Sequence, residues 1–232
     1  LLQNVFSYGK YSQFFISEMC AVAVLLFIVI RKSGNIYILH EEKKEKLGKS
    51  ILQAWPLFFL ALPTFLISLY EIIFIDKGID FYNLISCFIF CISVGLFEEF
   101  LCRGWLQNEF IEKYGDTHKN VVLSIFLSSL IFGAMHITNV LMGQTFFETI
   151  LQIIQAVSSG MVLGAIYYKT KNIWSVVWIH ALYNFMLFFN EINLLKNCTN
   201  NFSPPIIQLL SIISTIVVIA TLFIYAMKLL LK

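Results

Sequence analysis

The stretch FYNLISCFIFCISVGLFEEFLCRGWLQNEF, Phe81 to Phe110, decides the fold. It runs from Phe81 to Phe97 without a charge, then places Glu98, Glu99 and Arg103 inside the same apolar block. Blocks of about 20 apolar residues recur along the chain, each long enough as a helix to cross a bilayer core of roughly 30 Å. Reading outward from 81–110, spans are expected at about 13–30, 51–75, 120–140, 146–168, 172–190 and 206–227. Of 232 residues 59% are hydrophobic and only 13% charged, and 23 are Phe, a balance that would leave a soluble domain with large exposed apolar patches. The expected fold is therefore all-α, a polytopic transmembrane bundle of about seven helices.

Loop charges predict the topology. Arg31, Lys32, Lys43, Lys44, Lys46 and Lys49 fall on one side, and with seven crossings Lys113, Lys119, Lys169, Lys171, Lys228 and Lys232 fall on that same side. Only Lys10, Lys77 and Lys196 fall on the other, Arg103 being within a span. The excess of positive charge marks the cytoplasmic side, so the N-terminus is expected outside and the C-terminus in the cytoplasm. The sequons Asn197-Cys198-Thr199 and Asn201-Phe202-Ser203 would lie outside, and Ser203-Pro204-Pro205 stops any helix before the last span. Three regions follow: 1–80 with a charged cytoplasmic loop at 31–50, a core at 81–190, and an external loop with a final span at 191–232.

Other features bound the function. A net charge of +2 without a basic stripe leaves no footprint for nucleic acid. The run Glu41-Glu42-Lys43-Lys44-Glu45-Lys46 is a solvated loop or short surface helix. Cys20, Cys87, Cys91, Cys102 and Cys198 show no metal-finger spacing, and the four that fall inside apolar segments suit apolar packing. The chain starts at Leu1 and not at Met, so a segment before it is expected to be missing, and no cleavable signal peptide is expected. Ala156, Gly160 and Gly164 form a ridge of small residues that lets another helix approach closely, which puts the fifth span at the bundle's centre.

Ionisable residues inside a span cost roughly 2.5–3.5 kcal/mol each on insertion scales, so they persist where they pair, face a cavity or do chemistry. Glu18 and Glu71 lie near span ends, Glu148 can serve a helix's first turn, and His40 and His118 belong to loops. What remains is a cluster: Glu98, Glu99 and Arg103 on the third span, Phe132 and His136 on the fourth, His180 and Asn184 on the sixth. Glu99 and Arg103 are four apart and share a face, where the arginine fork can hold a carboxylate with two bonds. Glu98 points about 100° away from Glu99. His180 and Asn184 present two polar tips on one face. Glu98 and Asn184 come out about 20 Å, His180 about 14 Å and His136 about 25 Å from the cytoplasmic ends of their spans. Three helices can therefore bring Glu98, His136, His180 and Asn184 to one buried cavity, expected to open toward the cytoplasm.

These residues suit hydrolysis. Glu98 can take a proton from water, His136 can orient or activate it, and His180 and Asn184 can donate to a developing oxyanion. Cys102, one turn from Glu98, is a rival nucleophile. Glu98, His136 and His180 could instead hold Zn²⁺, with Glu99 as a base or supporting group. A non-catalytic receptor or immunity protein, a proton- or ion-coupled carrier and inert polar packing are the competing readings. Carriers often carry paired internal repeats, and Pro56 and Pro63 have no counterparts in the later half.

Taken in series, Glu98-Glu99-x-x-x-Arg103, Phe132-x-x-x-His136 and His180-x-x-x-Asn184 resemble the three signature motifs of the CAAX-protease and bacteriocin-processing (Abi) family of intramembrane proteases, over about 95–190. The resemblance implies an all-helical intramembrane endopeptidase. It assigns water activation to Glu98 with His136, the oxyanion to His180 and Asn184, and a supporting role to Arg103 with Glu99. Relatives in eukaryotes cut prenylated CAAX tails, and bacterial relatives are linked to bacteriocin immunity and peptide maturation. No prenyl-substrate feature is visible, so the expected partners are a peptide or membrane-protein substrate and the lipid bilayer of a bacterial cell, with Zn²⁺ as the one candidate cofactor.

Overall fold

The computed structural model describes residues 21, 24, 46–75, 81–189 and 205–231, and every regular element among them is helical. The expected span at 13–30 (apart from Ala21 and Val24), the charge run before Lys46, Glu18, His40, Cys20, Cys198 and both sequons lie outside the described residues.

Helix α1 (Leu47–Gln53) meets α2 (Trp55–Tyr70) at Ala54. Pro56 sits in the first turn of α2, where a missing N–H costs nothing, and Pro63 inside it withdraws one ladder bond. A π-helical turn, Glu71–Ile75, continues α2. Helix α3 (Phe81–Glu99) passes into a π-helical stretch, Phe100–Gln107, and then α4 (Asn108–Tyr114). Gly115, at φ +92°, ends it in a conformation open to glycine. Helix α5 (His118–Met135) tightens into a 3₁₀ segment, His136–Met142. Helix α6 (Phe146–Thr170) opens on a reciprocal capping box in which Thr145 and Glu148 satisfy each other's backbone N–H, the terminal role anticipated for Glu148. Helix α7 (Ile173–Phe188) is capped by the Asn172 side chain, which accepts from the Ser175 N–H at 3.3 Å. Helix α8 (Pro205–Leu231) is the last.

Four helical stretches are long and apolar enough to cross a membrane: Trp55–Phe74, Leu84–Tyr114, His118–Leu141 and Phe146–Thr170. Ile173–Phe188 and Thr215–Leu231 are shorter apolar helices. The six expected spans that fall on described residues are thus all helical, and four of them have full crossing length. Outward faces carry Phe59, Leu66, Ile67, Phe74, Ile85 and Phe147, exposed as lipid-facing side chains are.

Helix α6 packs along both α5 and α8, while α3 runs along α7. The small-residue ridge explains the first contact. A Cβ on Gly160 would stand 3.1 Å from Phe132, Ser129 and Arg103 atoms alike, so any larger residue would press these side chains of α5 and the π-helical stretch back by a few tenths of an ångström. A Cβ on Gly95 would meet the Val177 carbonyl oxygen at 2.9 Å, which fixes how closely α3 lies on α7. These two approaches set the separation of the three helices that carry the polar cluster.

Candidate functional site

Glu98 and Glu99 close the last turn of α3, immediately before the π-helical stretch. Arg103 Nη1 donates to Glu99 Oε1 at 2.7 Å, and both side chains are fully buried. The expected two-bond fork on the carboxylate is not what forms. Nη2 turns instead to the Gly160 carbonyl on α6, at 2.9 Å. The guanidinium also lies over the Phe132 ring, 4.8 Å from its centroid. Arg103 therefore ties α3, α5 and α6 together. One turn on, Gln107 Nε2 repeats the pattern by donating to the Gly164 carbonyl at 3.0 Å.

His180 reaches this pair from α7. Its Nδ1–H donates to Glu99 Oε1 at 2.7 Å, so one buried carboxylate oxygen accepts from both Arg103 and His180. The opposite ring nitrogen, Nε2, stands 3.4 Å from Glu98 Oε2. Two adjacent glutamates on different helical faces thus hold the two edges of one imidazole, a relation the sequence spacing does not disclose. Nδ1 carries a proton because a carboxylate only accepts.

His136 sits where α5 gives way to the 3₁₀ segment. Its Nδ1 lies 3.1 Å from the Phe132 carbonyl oxygen. That oxygen can only accept, so Nδ1–H donates and Nε2 is the basic nitrogen. Phe132 stands edge-to-face with both histidines, at centroid separations of 5.3 Å to His136 and 5.7 Å to His180.

Glu98, His136, His180 and Asn184 all line one cavity of about 460 Å³. Glu99 and Arg103 lie behind that lining. Phe90, Val94, Phe97 and Phe188 make an apolar wall, while Asn139, Gln152 and Gln155 add amide groups. Those three amides escaped the sequence reading, although polar side chains in an apolar span are the signal that found the histidines. Cys102 is fully buried against Phe132 and Ala156 and does not line the cavity. Among the described residues no three His, Cys, Asp or Glu side chains are grouped to hold a metal ion. Glu98, His136 and His180, the set weighed for Zn²⁺, share the lining of this one cavity.

No curated protein and no solved structure matches the chain. A family model does: residues 80–186 match the one described as Type II CAAX prenyl endopeptidase Rce1-like. The matched stretch begins just before α3 and ends in α7, and it contains all three polar motifs in order. That match supports assigning the chain to the CAAX-type intramembrane proteases, and its long apolar helices fit an integral membrane protein.

Proposed function

We propose that this CAAX-type endopeptidase hydrolyses a peptide or membrane-protein substrate in its polar cavity with water activated by Glu98 and His136. The observation that supports this reading best is that Glu98, both histidines and Asn184 line one cavity, with Glu98 Oε2 3.4 Å from His180 Nε2. The Glu98 carboxylate takes a proton from a water that His136 Nε2 orients, and the water oxygen bonds to the scissile carbonyl carbon. The developing oxyanion accepts from His180 Nε2–H and from the Asn184 amide. Glu99 holds the His180 ring by its Nδ1–H, much as a buried carboxylate orients the imidazole of a catalytic triad. Glu98 then returns its proton to the leaving nitrogen as the C–N bond breaks. Arg103 holds Glu99 in place through their 2.7 Å contact.

Every step is assigned to this chain's own side chains. The cavity is lined by Thr138, Asn139, Gln152 and Phe188, at the ends of the helices away from the Lys113, Lys119, Lys169 and Lys171 loops. An apolar wall beside a polar floor suits an apolar peptide segment delivered from the bilayer. The test is cleavage of a quenched-fluorescent peptide in detergent by wild-type, Glu98→Gln and His136→Ala proteins of equal thermal stability. Removing the base is expected to lower kcat about 10²–10⁴-fold. Undiminished turnover in both variants overturns the mechanism.

A further inference from the structure

Helices α5 and α6 run antiparallel in one constant register. Phe132 packs at Gly160, Gly133 packs at Val157 and Ile153, and Asn139 bonds to Gln152. The 3₁₀ segment carries that register past the end of α5. Three residues make one turn of a 3₁₀ helix at about 2 Å rise each, so His136 and Asn139 share a face about 6 Å apart along the axis. Both line the cavity, as does Gln152.

Asn139 Nδ2 donates to Gln152 Oε1 at 2.9 Å. A primary amide offers two N–H donors and two carbonyl lone pairs. The mutual bond therefore uses one donor of Asn139 and one lone pair of Gln152, and the pair has further bonding positions on both residues. Neighbouring hydroxyls differ: Thr138 Oγ1 donates to the Met135 carbonyl at 3.0 Å and Ser159 Oγ to the Ala156 carbonyl at 3.1 Å, each within its own chain segment. Amide groups carry a cost in an apolar span and are kept where something polar meets them.

The geometry assigns Asn139 and Gln152 to a backbone clamp, a joined amide pair that bonds the N–H and C=O groups of an extended substrate segment. This rests on the endopeptidase reading above. An extended chain rises about 3.3 Å per residue, so the clamp meets the peptide group about two residues from the bond attacked beside His136. A helical segment has these groups occupied by its own ladder. The substrate class is therefore a membrane-embedded segment that unwinds locally before it is cut.

A fluorescent peptide rich in Leu, Ala and Phe, remade with single amide-to-ester replacements, tests the clamp. Binding to Glu98→Gln protein and cleavage by wild-type protein are measured in the same detergent. One ester, about two residues from the cleaved bond, is expected to weaken binding about tenfold, and esters farther away leave it unchanged. Asn139→Ala or Gln152→Leu, added to Glu98→Gln, weakens the all-amide peptide by a similar factor and abolishes the ester's effect. Gln152→Glu, which keeps its shape and still accepts from Asn139, serves where the truncations lower thermal stability. A flat ester scan, an ester effect that persists in Asn139→Ala, or no binding at all overturns the clamp. Peptides cut with a flat scan overturn the clamp alone. Peptides bound through the clamp and never cut overturn the endopeptidase reading alone.

Discussion

Replacing Arg103 with Leu probes the support beneath the site. Arg103 and Glu99 have no solvent exposure, and a single 2.7 Å contact joins them. The substitution strands the Glu99 carboxylate, which keeps the hydrogen bond from His180 Nδ1 at 2.7 Å but loses its cation. Breaking one side of a buried ion pair costs about 3–5 kcal/mol, because the remaining charge stays out of water. The lost bond to the Gly160 carbonyl adds only about 0.5–1.5 kcal/mol, since that oxygen belongs to a helix ladder. Adding Glu99→Gln removes the stranded charge, so the double variant should regain most of the loss despite carrying one more substitution. Arg103→Lys keeps the charge but not the fork that spans Glu99 and Gly160, and an intermediate loss of about 1–3 kcal/mol is expected. The assay is denaturant unfolding in mixed micelles, followed by the fluorescence of the chain's four tryptophans, of which Trp174 stands edge-to-face with Phe100 beside Glu99. Turnover of the same variants should show kcat falling more than KM changes, because His180 loses its orientation. A loss below about 1 kcal/mol in Arg103→Leu, or a double variant no more stable than the single, would refute the reasoning.

Further predictions follow from the packing and the cavity. Gly133→Ala places a methyl 2.5 Å from Val157 Cγ2 and 2.8 Å from the Ile153 carbonyl oxygen. Overpacking of this kind should cost about 1–3 kcal/mol in thermal or denaturant unfolding. Cys102→Ala should leave turnover within a factor of a few, since the thiol is buried and does not line the cavity; a fall of several hundredfold would restore cysteine as the nucleophile. Excess chelator should leave peptide cleavage unchanged, and a loss restored by added Zn²⁺ would contradict the donor geometry. Cysteines introduced at Asp116 and Gln144, in the turns at the two ends of α5, should be labelled by an impermeant reagent from opposite sides of sealed vesicles. Asp116→Cys is expected on the cytoplasmic side, and the reverse pattern would invert the topology.

Much of the fold was legible from local sequence. Apolar blocks of crossing length predict helices, and the described helices fall where those blocks lie, because a backbone in lipid must satisfy its own hydrogen bonds. The ridge of Ala156, Gly160 and Gly164 correctly placed α6 at the centre, and the four-residue spacing correctly paired Glu99 with Arg103. The three motifs were legible for the same reason: ionisable and amide groups are rare in a span and stand out one by one.

What the tertiary structure alone decided lies between helices. Spacing along α3 says that Glu98 and Glu99 diverge, yet both meet His180, because a ring has two polar edges and α7 lies close enough to offer them both. Arg103 divides its fork between Glu99 and the Gly160 carbonyl, and Asn139 finds Gln152, only because α5, α6 and the π-helical stretch are held in one register. Local sequence sets which residues share a face of one helix. Rotation and height of one helix against another come from many close approaches at once, such as those at Gly95, Gly133 and Gly160, and no single stretch of sequence contains them.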